Sequence, residues 1–196
     1  MQELIIATTN EGKLKEFKEL MKDMDVELKS LKECADIPAP EETGKTFAAN
    51  ARQKALYYAK MTGKICIADD SGLEVQTLKG EPGVRSARYA GEEADSDANN
   101  KLLLQTMKFH MKRTCRFRCA LAVANPAGKV LAETEGICEG MLLHDKLGEE
   151  GFGYDPLFWS TELHKGLGEA TMEEKNQVSH RAKAIKKLCE MWEKIK

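Results

Sequence analysis

Apolar and polar positions at the start of the chain follow two periods, one typical of strands and one of helices. Residues 4–7 form a short apolar run, and the apolar residues from Leu14 to Met24 then recur at three- and four-residue steps. The run predicts a buried strand, and the stepped pattern predicts a helix that buries one face and exposes charged residues such as Glu16. Apolar and charged residues alternate from Val26 to Leu31, which predicts a half-exposed strand.

A second helix and a second strand follow. Pro38 to Gly44 is rich in proline and turn residues and is therefore predicted to be extended, not helical. Thr46 is suited to cap a helix that runs to about Met61. Residues 65–68 form an apolar run that predicts a buried strand, and this run ends at the polar sequence Asp69-Asp70-Ser71-Gly72.

The rest of the chain is predicted to contain two glycine-rich loops, two helices and a hairpin. In chain order these are a loop over residues 79–95, a helix from about Ser96 to Met107 capped by Ser96 or Asp97, a hairpin that turns at residues 125–128, a loop over residues 148–154, and a helix over residues 180–195 capped by Ser179. Strands alternate with helices before the hairpin, which is typical of an α/β fold with a mixed, twisted sheet flanked by helices. We therefore expect a single domain over residues 1–196, with two lobes, a central cleft and no separable linker.

Charge and composition exclude several classes of function. The 196 residues carry 30 Lys and Arg against 32 Asp and Glu, a formal charge of -2, and the two signs are mixed along the chain. A protein that binds nucleic acid or an anionic membrane through a broad basic surface would show an excess of positive charge. We therefore expect neither partner. A small anionic ligand held by a few local cations is still compatible with this composition.

Cysteine spacing and hydropathy predict a cytoplasmic protein. The six cysteines form no C-x-x-C pair, and their spacing predicts neither a zinc site nor a disulfide framework. No apolar run approaches the roughly 20 residues needed to cross a bilayer, and the first residues lack the features of a signal peptide. We expect free thiols and a soluble, cytoplasmic chain.

The segment from Thr8 to Lys13 lies between the first predicted strand and the first helix, where α/β proteins bind phosphates. Free N–H groups and the helix dipole attract anions at such a place, and Lys13 would add a positive charge. The segment is not a Walker loop, which would need Gly in place of Ala7 and a hydroxyl in place of Leu14. An ordinary connection with a solvated Lys13 is the alternative interpretation.

Two pairs of acidic residues are candidates for a metal site. Asp69 and Asp70 follow an apolar run with no cation next to them in sequence, and Glu41 and Glu42 lie on the proline-flanked segment. Mg2+ is commonly held by one or two carboxylates, and water and substrate phosphates complete its shell. If the strand continues through both aspartates, at most one of them would face a ligand, because successive side chains point to opposite faces. The alternatives are a turn at residues 69–72 and solvated glutamates.

Aromatic residues make up only 6% of the chain, yet two of them fall in the loop Gly151-Phe152-Gly153-Tyr154-Asp155-Pro156. Such a loop can stack a flat base, although two anchoring aromatics in a turn would give the same pattern. His180 and Arg181 lie in the first turn of the last helix, where the dipole disfavours positive charge by roughly 0.3–1 kcal/mol each. A bound anion would offset that cost. We interpret Arg116 and Arg118 as a solvated strand face or a subunit contact.

Six motifs in order along the chain carry a family resemblance. They are Ala7-Thr8-Thr9-Asn10-Glu11-Gly12-Lys13, Glu41-Glu42-Thr43-Gly44 with Phe47 and Asn50, Ala68-Asp69-Asp70-Ser71-Gly72-Leu73, Pro82-Gly83-Val84-Arg85-Ser86-Ala87-Arg88-Tyr89, Gly151-Phe152-Gly153-Tyr154-Asp155-Pro156 and Ser179-His180-Arg181. Together they resemble the inosine triphosphate pyrophosphatase family, which hydrolyses non-canonical purine nucleoside triphosphates, over almost the whole chain. Thr9 departs from the bacterial-type members, which usually carry Gly there, and a threonine is tolerated unless that backbone needs a positive φ.

The resemblance implies a homodimer with an elongated α/β fold, and hydrolysis of the link between the α- and β-phosphates. The residues implied to bind the substrate are Thr8, Thr9, Asn10, Glu11, Gly12 and Lys13 for the triphosphate, Ser71, and Phe152, Gly153, Tyr154, Asp155, Lys175, His180 and Arg181 for the base pocket. The residues implied to hold Mg2+, with Mn2+ as a substitute, are Asp70, Asp69 and either Glu41 or Glu42. Asp70 is also the implied general base, and Asn50, Lys54 and Arg88 are further candidates.

Selectivity for the base follows from hydrogen-bond patterns. Donors placed at the O6 position would accept hypoxanthine and xanthine and leave the amine of adenine facing another donor, and unpaired buried polar groups discriminate strongly. We expect backbone amides or His180 and Arg181 at O6, with Phe152 or Tyr154 stacked on the ring.

Two other functions fit part of the pattern. A pyrophosphatase for modified pyrimidine nucleotides would use the same phosphate and metal residues with a different base pocket. A non-catalytic nucleotide-binding module would use Lys13 and Arg181 as anion sites but would leave the carboxylate pairs without a role. Catalysis explains the carboxylate pairs as well as the cations, because water attacking a highly charged phosphate needs positioned carboxylates and neutralising cations.

Overall fold

The structure of the protein is a computed structural model that describes residues 2–34, 37–93 and 95–195. Its strands are β1 (Gln2–Ile6), β2 (Val26–Ser30), β3 (Ile65–Val75), β4 (Thr114–Ala124), β5 (Val130–Leu142), β6 (Phe158–Ser160) and β7 (Lys165–Gly166). Its α-helices are α1 (Glu11–Leu20), α2 (Phe47–Thr62), α3 (Ser96–Thr106), α4 (Met172–Val178) and α5 (His180–Met191). Short 3-10 segments lie at Leu31–Glu33, Gln76–Leu78, Gly83–Arg88, Asp155–Leu157 and Trp192–Lys194.

The strands form one mixed sheet in the order β2-β1-β3-β4-β5-β6-β7. The strand β1 runs parallel to both β2 and β3, with Leu4 opposite Leu28 and Ile65. The strand β6 runs antiparallel to β5 and β7. The predicted α/β class with a mixed sheet is confirmed, as is the hairpin, because β4 and β5 are neighbours joined by a turn at residues 125–129.

Side chains cap the helices α1 and α2 at their starts, and the predicted cap Thr46 is confirmed for α2. The Asn10 side chain accepts a hydrogen bond from the backbone N–H of Lys13 at 3.0 Å, and Thr46 accepts one from Ala49 at 3.2 Å. Such caps satisfy N–H groups that the first turn of a helix leaves open. The helix α2 ends at Gly63, whose φ of +67° lies in the left-handed region that glycine adopts without strain.

The strand β3 corrects one interpretation. It does not stop at Asp69 but continues through Asp69-Asp70-Ser71-Gly72 to Val75, so the turn considered for these residues is wrong. Asp69 and Asp70 are both buried, and as neighbours in a strand they project to opposite faces. Gly72 is required here, because a Cβ would overlap the Ser86 hydroxyl and lie 2.6 Å from the Gly83 carbonyl oxygen.

Two helix boundaries also differ from expectation, and one helix was not expected. The helix α3 is capped by Asp95, which accepts from the N–H of Ala98 at 2.8 Å, and not by Ser96 or Asp97. The helix α5 ends at Met191 and continues only as a 3-10 turn. The helix α4 was not predicted, although Thr171 and Glu174 form the reciprocal capping box that marks such a start.

The chain divides into two compact units. The first comprises Met1–Asp70, Cys119–Gly136 and Arg181–Lys196, and the second comprises Ser71–Arg118 and Ile137–His180. Each unit has its own apolar core, built around Phe17, Ile67, Leu121 and Leu188 in the first and around Leu73, Leu103, Leu157 and Phe158 in the second. Within the described residues, every helix is too short or too polar to cross a membrane.

Candidate functional site

The predicted phosphate segment is a turn that ends in the first turn of α1. The N–H of Asn10 donates to the Thr8 hydroxyl at 3.2 Å, and Glu11, Gly12 and Lys13 are already helical. Among the described residues outside glycine, only Lys79 and His164 have a positive φ, so Thr9 sits in a backbone conformation that any residue adopts. Its departure from the family pattern is therefore tolerated. Glu11 is exposed and pairs with the exposed Lys32.

Lys13, at the end of this segment, belongs to a charge network of the first unit that is largely buried. Asp69 Oδ2 lies 3.0 Å from Lys13 Nζ and 3.1 Å from Arg181 Nη2, and the other terminal nitrogen of Arg181 donates to Glu16. Burial alone would raise the pKa of Asp69, but the positive charges of Lys13, Arg181 and Lys54 hold it well below its ordinary value. Burial would lower the pKa of Arg181, and Asp69 and Glu16 reverse this and raise it.

This network corrects one expectation. Glu16 was expected on the exposed face of α1, yet only 1% of it is exposed and it faces the Arg181 guanidinium. The carboxylates of Glu16 and Asp69 offset the positive charge of Arg181 in the first turn of α5. The sequence pattern held no signal for Glu16, because the partner that buries it lies at the other end of the chain.

Asp70 belongs to a separate cluster on the opposite face of β3. Its Oδ2 accepts from Asn50 Nδ2 at 3.0 Å, and its Oδ1 lies 3.3 Å from Lys54 Nζ. Lys54 also pairs with Glu42 Oε1 at 3.1 Å, so one ammonium group serves two carboxylates. Burial is the main cause that raises the pKa of Asp70, Glu42 adds to it, and Lys54 and Asn50 oppose it.

Glu41 and Glu42 are distinguished by their surroundings. Glu41 is exposed, and its backbone carbonyl accepts from Gln53 Nε2 at 2.6 Å. The Glu42 carboxylate instead shares Lys54 with Asp70. Glu42 is therefore the glutamate whose charge lies close to that of Asp70.

The donor set around Asp70 fits a hard divalent cation. Among the described residues, no three carboxylate, imidazole or thiol groups converge as a complete metal site. Asp70 and Glu42 nevertheless present two carboxylates against the single charge of Lys54. Such a pair suits Mg2+ or Mn2+, which keep positions for water and substrate phosphates.

In the second unit, the glycine-rich loop is built around Asp155. Its Oδ2 accepts from the N–H of Phe152 at 2.8 Å and from Lys175 Nζ at 2.7 Å. Gly151 has a φ of +77°, and a Cβ there would overlap the same carboxylate. Lys175, on the helix α4, also places its ammonium 4.5 Å from the centre of the Phe152 ring. The loop, Asp155 and Lys175 thus form one connected cluster.

The two aromatics of the loop have different surroundings. Tyr154 is buried, and its hydroxyl donates to the carbonyl of Ser86 at 2.8 Å. Burial raises its pKa. Asn100 holds the neighbouring Gly153 carbonyl at 3.0 Å. Phe152 is only half-buried. Tyr154 thus anchors the loop, and Phe152 is the aromatic with surface to offer.

Two residues at the junctions between the units complete the predicted set. Ser71 directly follows Asp70 in β3 and is half-buried. His180 is buried and stacks on Phe117, with ring centres 4.8 Å apart and an interplanar angle of 15°. The boundaries between the two units along the chain fall between Asp70 and Ser71 and between His180 and Arg181.

The sequence matches the Ham1 family over residues 4–191. A dITP/XTP pyrophosphatase of Bacillus subtilis is 49% identical over 195 residues, which cover 98% of this chain and 98% of that protein. A dITP/XTP pyrophosphatase of Geobacillus kaustophilus is 50% identical over 198 residues, covering 100% of this chain and 96% of that protein.

Solved structures agree with the sequence matches. A HAM1 protein from Coxiella burnetii gives a TM-score of 0.89 at 34% identity, covering 99% of this chain and all of that one. The Ham1 protein of Staphylococcus aureus gives 0.87 at 39% identity and covers both chains fully. The predicted family resemblance is thereby confirmed, and the chain belongs to the Ham1 family.

Proposed function

We propose that this protein hydrolyses non-canonical purine nucleoside triphosphates, namely ITP, dITP and XTP, to the nucleoside monophosphate and pyrophosphate. The observation that carries the proposal is the buried Asp70, held by Asn50 and Lys54 beside Glu42. It occurs in a chain whose relatives of about half identity are named dITP/XTP pyrophosphatases. We propose that residues 1–196 work as one catalytic domain.

The triphosphate is assigned to the turn before α1. The dipole of α1 attracts anions to this turn, together with the backbone N–H groups that the side chains of Thr8 and Asn10 do not already engage, and Lys13 lies in the first turn of α1. The Lys13 ammonium rests on Asp69, which keeps it oriented without a substrate. Asp69 therefore acts here by holding Lys13, and we assign it no direct contact with the metal.

The metal is assigned to Asp70 and Glu42. Mg2+, with Mn2+ as a substitute, would supply charge neutralisation to the phosphates when bound. Lys54 neutralises the same two carboxylates without it. Glu41 is left out of the metal site because its side chain is exposed and only its backbone is engaged.

Asp70 orients and deprotonates the attacking water. A general base works best when its pKa approaches the operating pH, and burial moves Asp70 in that direction. Its Oδ2 accepts from the Asn50 amide, which fixes the orientation of the carboxylate. Ser71, the next residue, contacts the substrate.

The purine base of the substrate is assigned to the loop around Asp155. Phe152 stacks on the purine, while Tyr154 and Asp155 hold the loop in shape and Lys175 completes the pocket. Because Arg181 is engaged by two buried carboxylates, we assign the donors at O6 to loop amides such as that of Gly153 and to His180.

A substrate panel tests this function. With Mg2+, pyrophosphate release from ITP, dITP and XTP should exceed release from ATP by at least about a hundredfold in kcat/KM, because the amine at position 6 of adenine meets a donor. A preference for modified pyrimidine nucleotides would favour the first alternative function. Tight binding without turnover would favour the nucleotide-binding module.

We further propose a cytoplasmic homodimer. The six cysteines are all free thiols, as expected for a reducing compartment.

A further inference from the structure

The chain segment that carries Glu42 has no helix or strand of its own and is held by side chains of α2. Residues 37–44 are irregular in conformation. Four residues on one face of α2, three and four positions apart, reach it. Asn50 accepts from the N–H of Gly44 at 2.8 Å, and Gln53 donates to the carbonyl of Glu41 at 2.6 Å. Lys54 donates to the carboxylate of Glu42 at 3.1 Å, and Tyr57 donates to the carbonyl of Pro38 at 3.0 Å.

Asn50 differs from Gln53 and Tyr57 because it also holds Asp70. Its Oδ1 accepts from the N–H of Gly44, and its Nδ2 donates to Asp70 Oδ2 at 3.0 Å. The Gly44 N–H can only donate, so it fixes the orientation of the amide and turns a donor towards Asp70. Asn50 is 1% exposed, so neither bond competes with water. One buried side chain thus links the segment of Glu42 to the strand of Asp70.

Lys54 also bridges these two residues, but its role must change when a divalent cation arrives. Its ammonium is attracted by the same carboxylates that would bind the metal. A metal ion on them repels Lys54 and weakens that bridge. The neutral amide of Asn50 has no such conflict, so its bonds are the ones that persist in the loaded site.

Gly44 shows how closely the segment approaches Asn50. A Cβ on Gly44 would overlap the Asn50 Oδ1 and lie 3.0 Å from its Cγ. Any larger residue at position 44 would therefore displace the amide or the segment. The close approach gives a way to disturb this contact without changing α2 or β3.

We propose that Asn50 is a positioning residue that fixes Glu42 relative to Asp70 and so sets the affinity of the site for its divalent cation. This inference rests on the proposed function, which supplies the metal role of both carboxylates. Partners that orient metal ligands typically change metal affinity or activity by 10–100-fold when they are removed.

The test measures binding of Mn2+ alone, from the spin-resonance signal of the free ion, together with turnover of ITP. Asn50→Ala and Gly44→Ala should each weaken Mn2+ binding by about 10–100-fold and raise the metal concentration needed for half-maximal turnover. The double variant should bind Mn2+ no more weakly than Asn50→Ala, because without the amide the added methyl meets only the Ala49 Cβ, at 3.0 Å. Gln53→Ala, which loosens the same segment without touching Asp70, should stay within about twofold of the wild type.

The outcomes separate this inference from the proposed function. Mn2+ affinities within about threefold of wild type in both single variants would overturn the positioning role, as would independent effects that multiply in the double variant or a wild type that binds no Mn2+. A wild type that binds Mn2+ but releases no pyrophosphate from any tested purine triphosphate would overturn the function instead. Thermal unfolding identifies variants that do not fold. Gly44→Ala, outside any helix or strand, keeps the test valid if Asn50→Ala is one of them.

Discussion

Replacing Asp70 by Asn is expected to lower kcat for ITP by at least about a hundredfold, the low end of what a general base contributes, while the protein stays folded. The amide oxygen of the new side chain can still accept the hydrogen bond from Asn50, and its volume is the same. What is lost is the charge next to Lys54 and the ability to take a proton from water. Pyrophosphate release at saturating ITP and Mg2+ measures the effect, and thermal unfolding checks the fold.

Substitutions at Glu41 and Glu42 form a matched comparison for this result, with Glu41 as the control. Glu41→Gln changes an exposed carboxylate and should leave kcat within about twofold of wild type, as surface substitutions generally do. Glu42→Gln removes the carboxylate that shares Lys54 with Asp70 and should lower turnover at limiting Mg2+. Near-normal turnover of Asp70→Asn would refute the assignment of the base.

Replacing Arg181 by Met is expected to lower the free energy of unfolding by about 3–5 kcal/mol, because it removes the guanidinium that pairs with both buried carboxylates, Glu16 and Asp69. Lys13 still serves Asp69 after the substitution, whereas the ion pair between Arg181 and Glu16 is lost. Urea unfolding measures the change. The same substitution at Arg52, which makes an exposed two-bond pair with Glu133, is the control and should cost about 1 kcal/mol or less.

The pH dependence of stability gives this prediction its sign. Asp69 has a lowered pKa in the folded protein, so its contribution is fully present above the unfolded value of about 3.9 and is lost as the pH falls below it. The Arg181→Met protein should show a smaller loss between about pH 4 and pH 2 than the wild type, because less of the lowering remains. If Arg181→Met and Arg52→Met lowered the free energy of unfolding equally, the network would not contribute to stability as predicted.

The sequence predicted most of the elements but not the course of β3 through its aspartates. Two carboxylates after an apolar run match a turn as well as a strand. The strand continues because its charges find partners from elsewhere: Lys13 and Arg181 for Asp69, and Asn50 and Lys54 for Asp70. Contacts between residues this far apart in sequence leave no periodic signal, which is also why Glu16 was placed on the surface.

The two glutamates and the two loop aromatics show the same limit on a smaller scale. Sequence marks Glu41 and Glu42 equally, and the helix α2 separates them by offering Lys54 to one and Gln53 to the other. The sequence offers Phe152 and Tyr154 equally for stacking. The structure distinguishes them, because Tyr154 is buried and its hydroxyl donates to the Ser86 carbonyl, whereas Phe152 is half-buried. The helix α4, by contrast, was predictable, because its capping box is written in Thr171 and Glu174.

Hydrolysis of ITP in water labelled with heavy oxygen shows which phosphorus the water attacks. If Asp70 directs water to the α-phosphorus, mass spectrometry will find the label in IMP and will find the pyrophosphate unlabelled. Orthophosphate as the product, or label in the pyrophosphate, would mean that water attacks another phosphorus and would refute this role of Asp70.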